Sequence, residues 1–190
     1  MTTAIASQRH RGLYTYQDYL TLPDDGKRYE VIEGELYMSP APAVTHQIIL
    51  KRLLYMIEDF LVQNPLGELL PAPTDVILSE INVLQPDLLF VARENYEILT
   101  HENVRGAPDL VVEILSPGTA KRDRTSKLET YSQFGVAEYW IVDEEKQNVE
   151  VWRQQGRRLV CEAIFSANQT LKTSLLPGLE IALAQVFPIQ

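Results

Sequence analysis

Apolar residues recur along this chain at two spacings, and the spacing predicts which kind of element each segment forms. Between residues 45 and 62 the apolar positions recur every three or four residues, which predicts a helix with Thr45 as its N-cap. The same spacing predicts a second helix over residues 122–134, with Gly135 as the residue that ends it. A capping box at residues 15–18 predicts a short helix near the start of the chain.

Strands are predicted where short aliphatic runs are bounded by Pro, Asn or Gly. Such runs occupy residues 74–78, 87–91, 110–115 and 139–142, and hairpins are predicted within residues 29–38 and 149–163. Residues 93–106 separate two of these strands and are predicted to form a long loop, a type of segment that often carries function. The predicted order is therefore a helix, three strands, a helix and a strand, with additions at both ends.

Composition bounds the kind of protein that these elements can build. With 190 residues, 45% of them hydrophobic, the chain suits a single globular domain over residues 1–190. No apolar stretch approaches the roughly 18 to 20 uncharged residues that span a bilayer, and residues 1–11 lack the pattern of a secretory signal. Cys161 is the single cysteine, which excludes an intrachain disulfide and a multi-cysteine zinc site. We expect a cytoplasmic protein without membrane contact, and no organic cofactor.

Two carboxylates stand in apolar, strand-like runs, where they are costly unless a cation meets them. Asp87 begins one such run and Glu113 lies inside another. If these strands pair antiparallel with the two residues opposite each other, their Cβ atoms lie about 5 Å apart. That spacing suits a hard divalent cation, with the main-chain carbonyl of Ile114 as a further metal ligand. Lys127 would position the attacking water or neutralise charge that develops on a phosphate, which is the chemistry of a nuclease.

Neighbouring acidic residues differ in whether they can join this site. Asp109 shares a strand face with Glu113, but at about 3.3 Å per residue it lies too far along the strand to bind the same ion. Asp123, Lys127 and Tyr131 follow one another at helical spacing and line one side of the second predicted helix. That side could face the carboxylate pair.

Charge limits the ways in which the chain could bind nucleic acid. The net charge of -9 argues against a sequence-indifferent coat, because that mode depends on Lys and Arg displacing counterions from phosphates. Basic residues are nevertheless concentrated just after the Glu113 run, at Lys121, Arg122 and Arg124. These three are candidate substrate-binding residues. Alternatively, they form a solvated face of the predicted helix.

In combination these motifs resemble one known family. The residues that carry the likeness are PDLVVEILSP at 108–117, Asp123, Lys127, Tyr131 and GVAEYWIVD at 135–143, together with YEVIEGEL at 29–36, His46 and PD at 86–87. They closely resemble the Uma-two family of "putative restriction endonucleases". The likeness covers the chain from residue 14 to about residue 183, and in aggregate it is specific.

The resemblance carries expectations about fold, cofactor and site, because that family is placed in the PD-(D/E)xK nuclease superfamily. It implies an α/β (α+β), restriction-endonuclease-like fold, in which a mixed central β-sheet is flanked by helices, with an extra N-terminal hairpin and C-terminal strands. It also implies Mg²⁺ as the cofactor, with Mn²⁺ as a possible substitute. Asp87 would be the motif aspartate and Glu113 the motif acidic residue. Where the superfamily expects a lysine two residues after Glu113, this chain has Leu115, and Lys127 is the candidate replacement.

Three further residues are candidates for supporting the site. Glu30 and His46 match the family pattern and could hold the metal ligands or Lys127 in place. Alternatively, Glu30 anchors the predicted hairpin. Tyr131 is a candidate for the same supporting role, because it lies on the Lys127 side of the helix.

Two functions from different classes follow from these residues. The first is a Mg²⁺-dependent endonuclease that hydrolyses DNA phosphodiester bonds, acting as a homodimer because cleavage of both strands needs two active sites. The second is a non-catalytic binding or assembly module on the same fold. The acidic net charge and the displaced lysine favour the module, whereas the paired carboxylates with a lysine within reach favour the enzyme.

Overall fold

The computed structural model describes residues 12–187; residues 1–11, in which no secretory signal is predicted, lie outside that range. The helices are α1 (Tyr16–Tyr19), α2 (Val44–Gln63), α3 (Ala120–Arg122), α4 (Leu128–Phe134) and α5 (Leu183–Val186), with a 3-10 helix at Arg93–Ile98 and a π-helical turn at Asp123–Lys127. The strands are β1 (Arg28–Ile32), β2 (Glu35–Ser39), β3 (Gly67–Pro71), β4 (Val76–Ser79), β5 (Asn82–Leu84), β6 (Leu88–Ala92), β7 (Val104–Arg105), β8 (Leu110–Ile114), β9 (Glu138–Asp143), β10 (Asn148–Gln155), β11 (Arg158–Ser166), β12 (Thr170–Lys172) and β13 (Glu180–Ala182). We call α3, the π-helical turn and α4 together the composite helix.

Two β-sheets form the framework of the described residues. The larger has six strands in the order β11-β10-β9-β8-β6-β3, and its pairs are antiparallel except for β8 with β9. The smaller has five strands in the order β2-β1-β5-β4-β7, so the predicted N-terminal hairpin belongs to it. Of the C-terminal strands, β10 and β11 extend the larger sheet, whereas β12 and β13 pair separately. This mixed arrangement confirms the predicted α/β (α+β) class.

Helix α2 packs its apolar side on one face of the six-stranded sheet. Ile49, Leu53 and Ile57 recur at a spacing of four, are fully buried, and cluster with Val112 and Trp140 of the sheet. Fully burying an aliphatic side chain of this size contributes about 1.5–3 kcal/mol. Among residues 12–187, no helix is both long and apolar enough to cross a membrane.

The composite helix covers the opposite face of the same sheet. Val111 and Ile141 point to that face and cluster with Tyr131 of α4. Because alternate side chains of a strand point to opposite faces, Glu113 shares the face of Val111 and is turned toward the composite helix. Gly135 ends α4 in a left-handed conformation with φ of 84°, as predicted, since this region favours glycine.

Several local predictions are confirmed. Thr15 and Asp18 form the capping box of α1, and each side chain accepts a hydrogen bond from the backbone of the other residue. The two predicted hairpins are β1 with β2 and β10 with β11. The predicted strand at residues 139–142 lies within β9, where Tyr139 and Trp140 are fully buried.

Two local predictions are wrong, and the strands β3, β5 and β7 were not predicted. Thr45 is not the N-cap of α2, because the helix begins at Val44, two residues earlier than predicted. Its N-cap is Ala43, which is extended and provides no side-chain cap. Residues 93–106 do not form an unstructured loop but begin with the 3-10 helix and end near β7. The Asp109 carboxylate stabilises this segment, since it accepts hydrogen bonds from the backbone of Ala92 and the amide of Asn95, each at 2.7 Å.

Candidate active site

A cavity of about 230 Å³ lies between the first strands of the smaller sheet, the β6 and β8 strands of the larger sheet, and the composite helix. Segments 39–43 and 116–119 form further parts of its wall. Its charged lining residues are Arg28, Glu30, Asp87, Glu113, Arg122, Asp123 and Lys127. Asp87, Glu113 and Lys127, which the sequence singles out as candidate catalytic residues, therefore line one cavity.

Asp87 and Glu113 are brought together by the register of two antiparallel strands. Leu88 of β6 pairs with Val112 of β8, and Leu89 pairs with Val111. Extending this register by one residue puts Asp87 opposite Glu113, as the sequence argument required. The backbone N–H of Ile114 donates a hydrogen bond of 2.9 Å to Oδ2 of Asp87, which fixes this alignment.

The two oxygens of Asp87 have different surroundings. Oδ2 accepts the bond from Ile114 and a second hydrogen bond of 3.1 Å from Nε2 of His46. Within residues 12–187, Oδ1 has one partner, Nη2 of Arg28 at 3.4 Å. Burial opposes ionisation of this carboxyl, but the hydrogen bond and charge of His46 and the bond from Ile114 outweigh it, so its pKa lies below the usual value. Asp87 is therefore an ionised acceptor at neutral pH.

Glu113 is paired with two donors from the composite helix. Its Oε1 accepts hydrogen bonds from Nζ of Lys127 at 2.8 Å and from the hydroxyl of Tyr131 at 3.0 Å. Burial raises the pKa of Glu113 well above its usual value, and the ammonium of Lys127 opposes this shift. Among the described residues, no hydrogen bond reaches Oε2 of Glu113.

Lys127 lies at the centre of a buried acidic cluster. Its Nζ is 2.7 Å from Oε1 of Glu30, 2.8 Å from Oε1 of Glu113 and 3.7 Å from Oδ1 of Asp123. Burial alone would lower the pKa of Lys127, but the carboxylates of Glu113, Glu30 and Asp123 raise it above the usual value. The amine is therefore a permanent ammonium group.

The π-helical turn places Asp123 and Lys127 on the same side of the composite helix. Such turns are rare, and they occur frequently at functional sites. Tyr139 of β9 donates a hydrogen bond of 3.0 Å to the carbonyl of Asp123, which holds this turn against the sheet. Burial raises the pKa of the Asp123 carboxyl, and its Oδ1 has no hydrogen-bond partner within residues 12–187.

The supporting candidates Glu30, His46 and Tyr131 are all brought to this site. Glu30 lies on β1 and accepts a hydrogen bond of 3.0 Å from the backbone of Gln85 in addition to its contact with Lys127. His46 lies in the first turn of α2 beside Asp87, and its Nδ1 is buried without a hydrogen-bond partner among the described residues. Residues from both sheets and from two helices thus meet in one cluster.

Of the three candidate substrate-binding residues, the structure brings one into the cavity. Arg122 lines it, whereas Lys121 is exposed and lies outside the lining. Arg124 also lies outside, and its guanidinium forms ion pairs with Asp143 at 3.0 Å and with Glu150 at 2.5 Å. The three residues therefore do not act as one basic surface.

Sequence reasoning missed Arg28 as a lining residue. It is the first residue of β1, and a single arginine at the start of a predicted hairpin carries no distinguishing pattern. Asp109, by contrast, lies outside the cavity and binds the segment after β6. This location agrees with the prediction that Asp109 is too far along its strand to share an ion with Glu113.

The chain matches a known family over most of its length. A family model named Uma2 and described as "Putative restriction endonuclease" matches residues 16–184. The chain belongs to the Uma2 family. The match includes all the residues that line the cavity of this Uma2 chain.

The Uma2 fold is also found in a solved structure. A crystal structure described as "a putative nuclease belonging to DUF820", from Anabaena variabilis, has a TM-score of 0.76, with 20% sequence identity over 91% of this chain and 97% of that chain. At this identity the likeness shows a shared fold alone. No curated protein matches the chain.

In this Uma2 chain a lysine from another element lies beside Glu113, whereas the position two residues after Glu113 holds no lysine. Leu115, two residues after Glu113, packs against the apolar cluster beneath the composite helix. The ammonium of Lys127 comes from that helix and lies within hydrogen-bond distance of Glu113. The ammonium of Lys127 thus lies beside Glu113, although β8 itself contains no basic residue.

Proposed function

We propose that this protein is a metal-dependent endonuclease that hydrolyses phosphodiester bonds of DNA. The observation that carries the proposal is the convergence of Asp87, Glu113 and Lys127 on one cavity, with Glu113 on β8 and Asp87 immediately before β6, the strand that pairs with β8. Carboxylates opposed in this way, beside a permanent ammonium, suit the binding of a hard cation and a phosphate ester. Membership of the Uma2 family supports the nuclease class.

The donor set fits a Mg²⁺ ion that retains several water ligands. Within residues 12–187, no three or more His, Cys, Asp or Glu side chains form a ready metal site. Asp87, Glu113 and the main-chain carbonyl of Ile114 are the groups that would hold the ion, and Mg²⁺ is commonly bound through one or two carboxylates with water completing its octahedron. Two observations support this assignment: Oε2 of Glu113 accepts no hydrogen bond from the residues that the structure describes, and Oδ1 of Asp87 is held by one long hydrogen bond. When bound, the ion would polarise a phosphoryl oxygen and lower the pKa of a water ligand.

The residues of the chain would then bind and orient the phosphate. Because the raised pKa of Lys127 keeps it protonated, it suits stabilisation of charge on the phosphoryl oxygens better than removal of a proton from water. His46 and the backbone of Ile114 would hold Asp87 in the orientation that ligation requires. Glu30 and Tyr131 would do the same for Lys127 and Glu113.

A cleavage assay with isosteric variants tests the proposal. Supercoiled, linear duplex and single-stranded DNA are incubated with Mg²⁺ or Mn²⁺ and with wild-type protein, Asp87→Asn or Glu113→Gln. We expect metal-dependent cleavage by the wild type, reduced to background in both variants, because each loses a metal ligand while keeping its shape. Glu138→Gln is the matched control, since Glu138 is a buried carboxylate of the neighbouring strand outside the cavity and its variant should cleave. Wild-type rates in Glu113→Gln would refute the assignment.

A non-catalytic binding module is the second candidate function. It is favoured by the acidic environment of Lys127, whose charge is already matched by Glu30, Glu113 and Asp123. Absence of cleavage on every DNA form, with retained binding of an oligonucleotide, would favour this module. For the enzyme we propose a homodimer, because two active sites are needed to cleave both strands; analytical ultracentrifugation in the presence of duplex DNA tests this.

A further inference from the structure

Two arginines of the part of the chain that the structure describes line the cavity, and their side chains have different contacts. Arg122 donates a hydrogen bond of 3.1 Å to Ser39, lies 3.6 Å from Glu30, and stacks its guanidinium 4.8 Å from the ring centre of Tyr37. Arg28 makes one side-chain hydrogen bond within the described residues, to Oδ1 of Asp87, at the long distance of 3.4 Å. The side chain of Arg28 is 24% exposed, against 13% for Arg122. Among the described residues, three groups therefore hold Arg122, whereas one long hydrogen bond holds Arg28.

The partner of Arg28 is the oxygen that the proposed metal would use. Oδ2 of Asp87 is already occupied by Ile114 and His46, which leaves Oδ1 as the accessible ligand atom. A Mg²⁺ ligand distance is about 2.0–2.1 Å, and a guanidinium on the same oxygen would be repelled by the ion. Binding of the cation and the present position of Arg28 therefore exclude each other.

Replacement of Arg28 by a divalent cation at Asp87 makes the charge of the cavity favourable for binding a phosphate. Among the described lining residues other than His46, and with every carboxylate ionised, the four acidic side chains exceed the three permanently cationic ones by a single negative charge. A divalent cation reverses this balance to one positive charge, which matches the single negative charge of a phosphodiester. Arg28, once displaced from Asp87, keeps its planar fork of donors at the cavity, and that fork suits two phosphate oxygens.

We propose that Arg28 is a phosphate-binding residue that pairs with Asp87 until a divalent cation takes that carboxylate and releases its guanidinium to the substrate. The inference rests on the proposed metal-dependent function and adds to it a coupling between cation and substrate. It predicts that Arg28 competes with the cation for Asp87 and contributes to binding of the substrate phosphate. Removal of Arg28 should therefore change the two affinities in opposite directions.

Calorimetric titration of the DNA-free protein with Mn²⁺ measures the first effect. Arg28→Ala should bind Mn²⁺ about 10-fold more tightly than the wild type, because a charge-assisted hydrogen bond of about 1.5 kcal/mol no longer competes for Asp87. Arg105→Ala is the matched control, since Arg105 is an exposed arginine of the same sheet outside the cavity and should leave the Mn²⁺ affinity unchanged. Equal Mn²⁺ affinity in the wild type and Arg28→Ala would overturn the inference.

Fluorescence anisotropy of a labelled oligonucleotide measures the second effect. The titration is run with Ca²⁺, as a hard divalent cation, and without it, for the wild type, Arg28→Ala and Arg28→Lys. Ca²⁺ should tighten oligonucleotide binding to the wild type about 10-fold more than to Arg28→Ala, with Arg28→Lys between them because it keeps the charge and loses the fork. Equal tightening in all three proteins would overturn the inference while leaving the cleavage test of Asp87 and Glu113 untouched. Failure of the wild type to bind Mn²⁺ at all would overturn both proposals.

Discussion

At the scale of single residues, Lys127 determines the charge balance of the site. Its ammonium is buried with three carboxylates, those of Glu30, Glu113 and Asp123, so the cluster keeps excess negative charge when all are ionised. Burial of that excess is the reason that the pKa values of Glu113 and Asp123 are raised. A further cation would neutralise this excess negative charge, so the cluster is suited to bind a divalent ion.

Removal of the ammonium should destabilise the protein strongly. Lys127→Met keeps the length of the side chain but leaves the carboxylates without their cation, and loss of one partner of a buried ion pair costs about 3–5 kcal/mol. Urea denaturation at neutral pH should show a decrease of this size in the free energy of unfolding. Lys172→Met is the control, because Lys172 pairs with Glu180 at the surface and its loss should have little effect. Equal effects in the two variants would mean that the buried carboxyls are protonated.

Residues of the site differ in how well the sequence reveals them. Asp87 and Glu113 were predictable, because a carboxylate in an aliphatic run is unusual and the register then follows from pairing. Lys127 required the helical spacing and the family resemblance. Arg28 was not predictable, since it reaches the cavity only through the packing of β1 beside β5 and the larger sheet. Arg124 resembled its basic neighbours in sequence, but the turn of the helix directs it to other partners.

At the scale of elements, the composite helix is attached to the larger sheet by Arg124. Its guanidinium joins Asp143, at the end of β9, to Glu150, on β10. This attachment lies one turn from Lys127 and limits the motion of the π-helical turn that carries it. Asp143 also accepts a hydrogen bond of 3.0 Å from the backbone of Lys146. Its carboxylate therefore contacts both the turn after β9 and, through Arg124, the composite helix.

The stability of this attachment should depend on pH through Asp143. Burial raises its pKa, but the hydrogen bonds and charge of Lys146 and the bond from Arg124 outweigh burial and hold the pKa below its usual value. A carboxyl with a lowered folded-state pKa stabilises the protein above its unfolded-state pKa, near 3.9, and that contribution is lost as the pH falls through the folded-state value. Urea denaturation between pH 2 and 6 should therefore show a weaker acid dependence in Asp143→Asn than in the wild type. Glu145→Gln, an exposed carboxyl of the same turn, should retain the wild-type profile; identical profiles in Asp143→Asn and the wild type would contradict the assignment.

Prediction of elements succeeded where a local signal decides the structure. The capping box of α1, the glycine that ends α4 and the alternating pattern of the hairpins are all local. The short strands β3, β5 and β7 were missed because they are defined by their partners rather than by their own sequence. The π-helical turn was missed for a similar reason, since the contact of Tyr139 with the Asp123 carbonyl supports it from another element.

At the scale of the whole molecule, the candidate site joins the two sheets. Glu30 and Arg28 belong to the smaller sheet, Glu113 belongs to the larger, and Asp87 immediately precedes one of the larger sheet's strands. Lys127 connects Glu30 with Glu113, and Arg28 reaches Asp87. Loss of either sheet would leave buried charges without partners. The site should therefore contribute to the cooperativity of folding as well as to chemistry.

Scanning calorimetry tests whether the two sheets unfold together as one domain. Because the charged cluster and the apolar cluster of Ile32, Leu84 and Tyr131 both bridge the smaller sheet and the composite helix, we expect a single transition with equal calorimetric and van't Hoff enthalpies. For 190 residues at about 0.7 kcal/mol per residue near 60 °C, the enthalpy should be about 130 kcal/mol. Glu30→Gln weakens the charged connection alone and should lower the transition temperature without dividing the transition, since the apolar contacts remain. Two resolved transitions in the wild type would show that the sheets are separate cooperative units, and a split confined to Glu30→Gln would show that the Lys127 cluster is what holds them together.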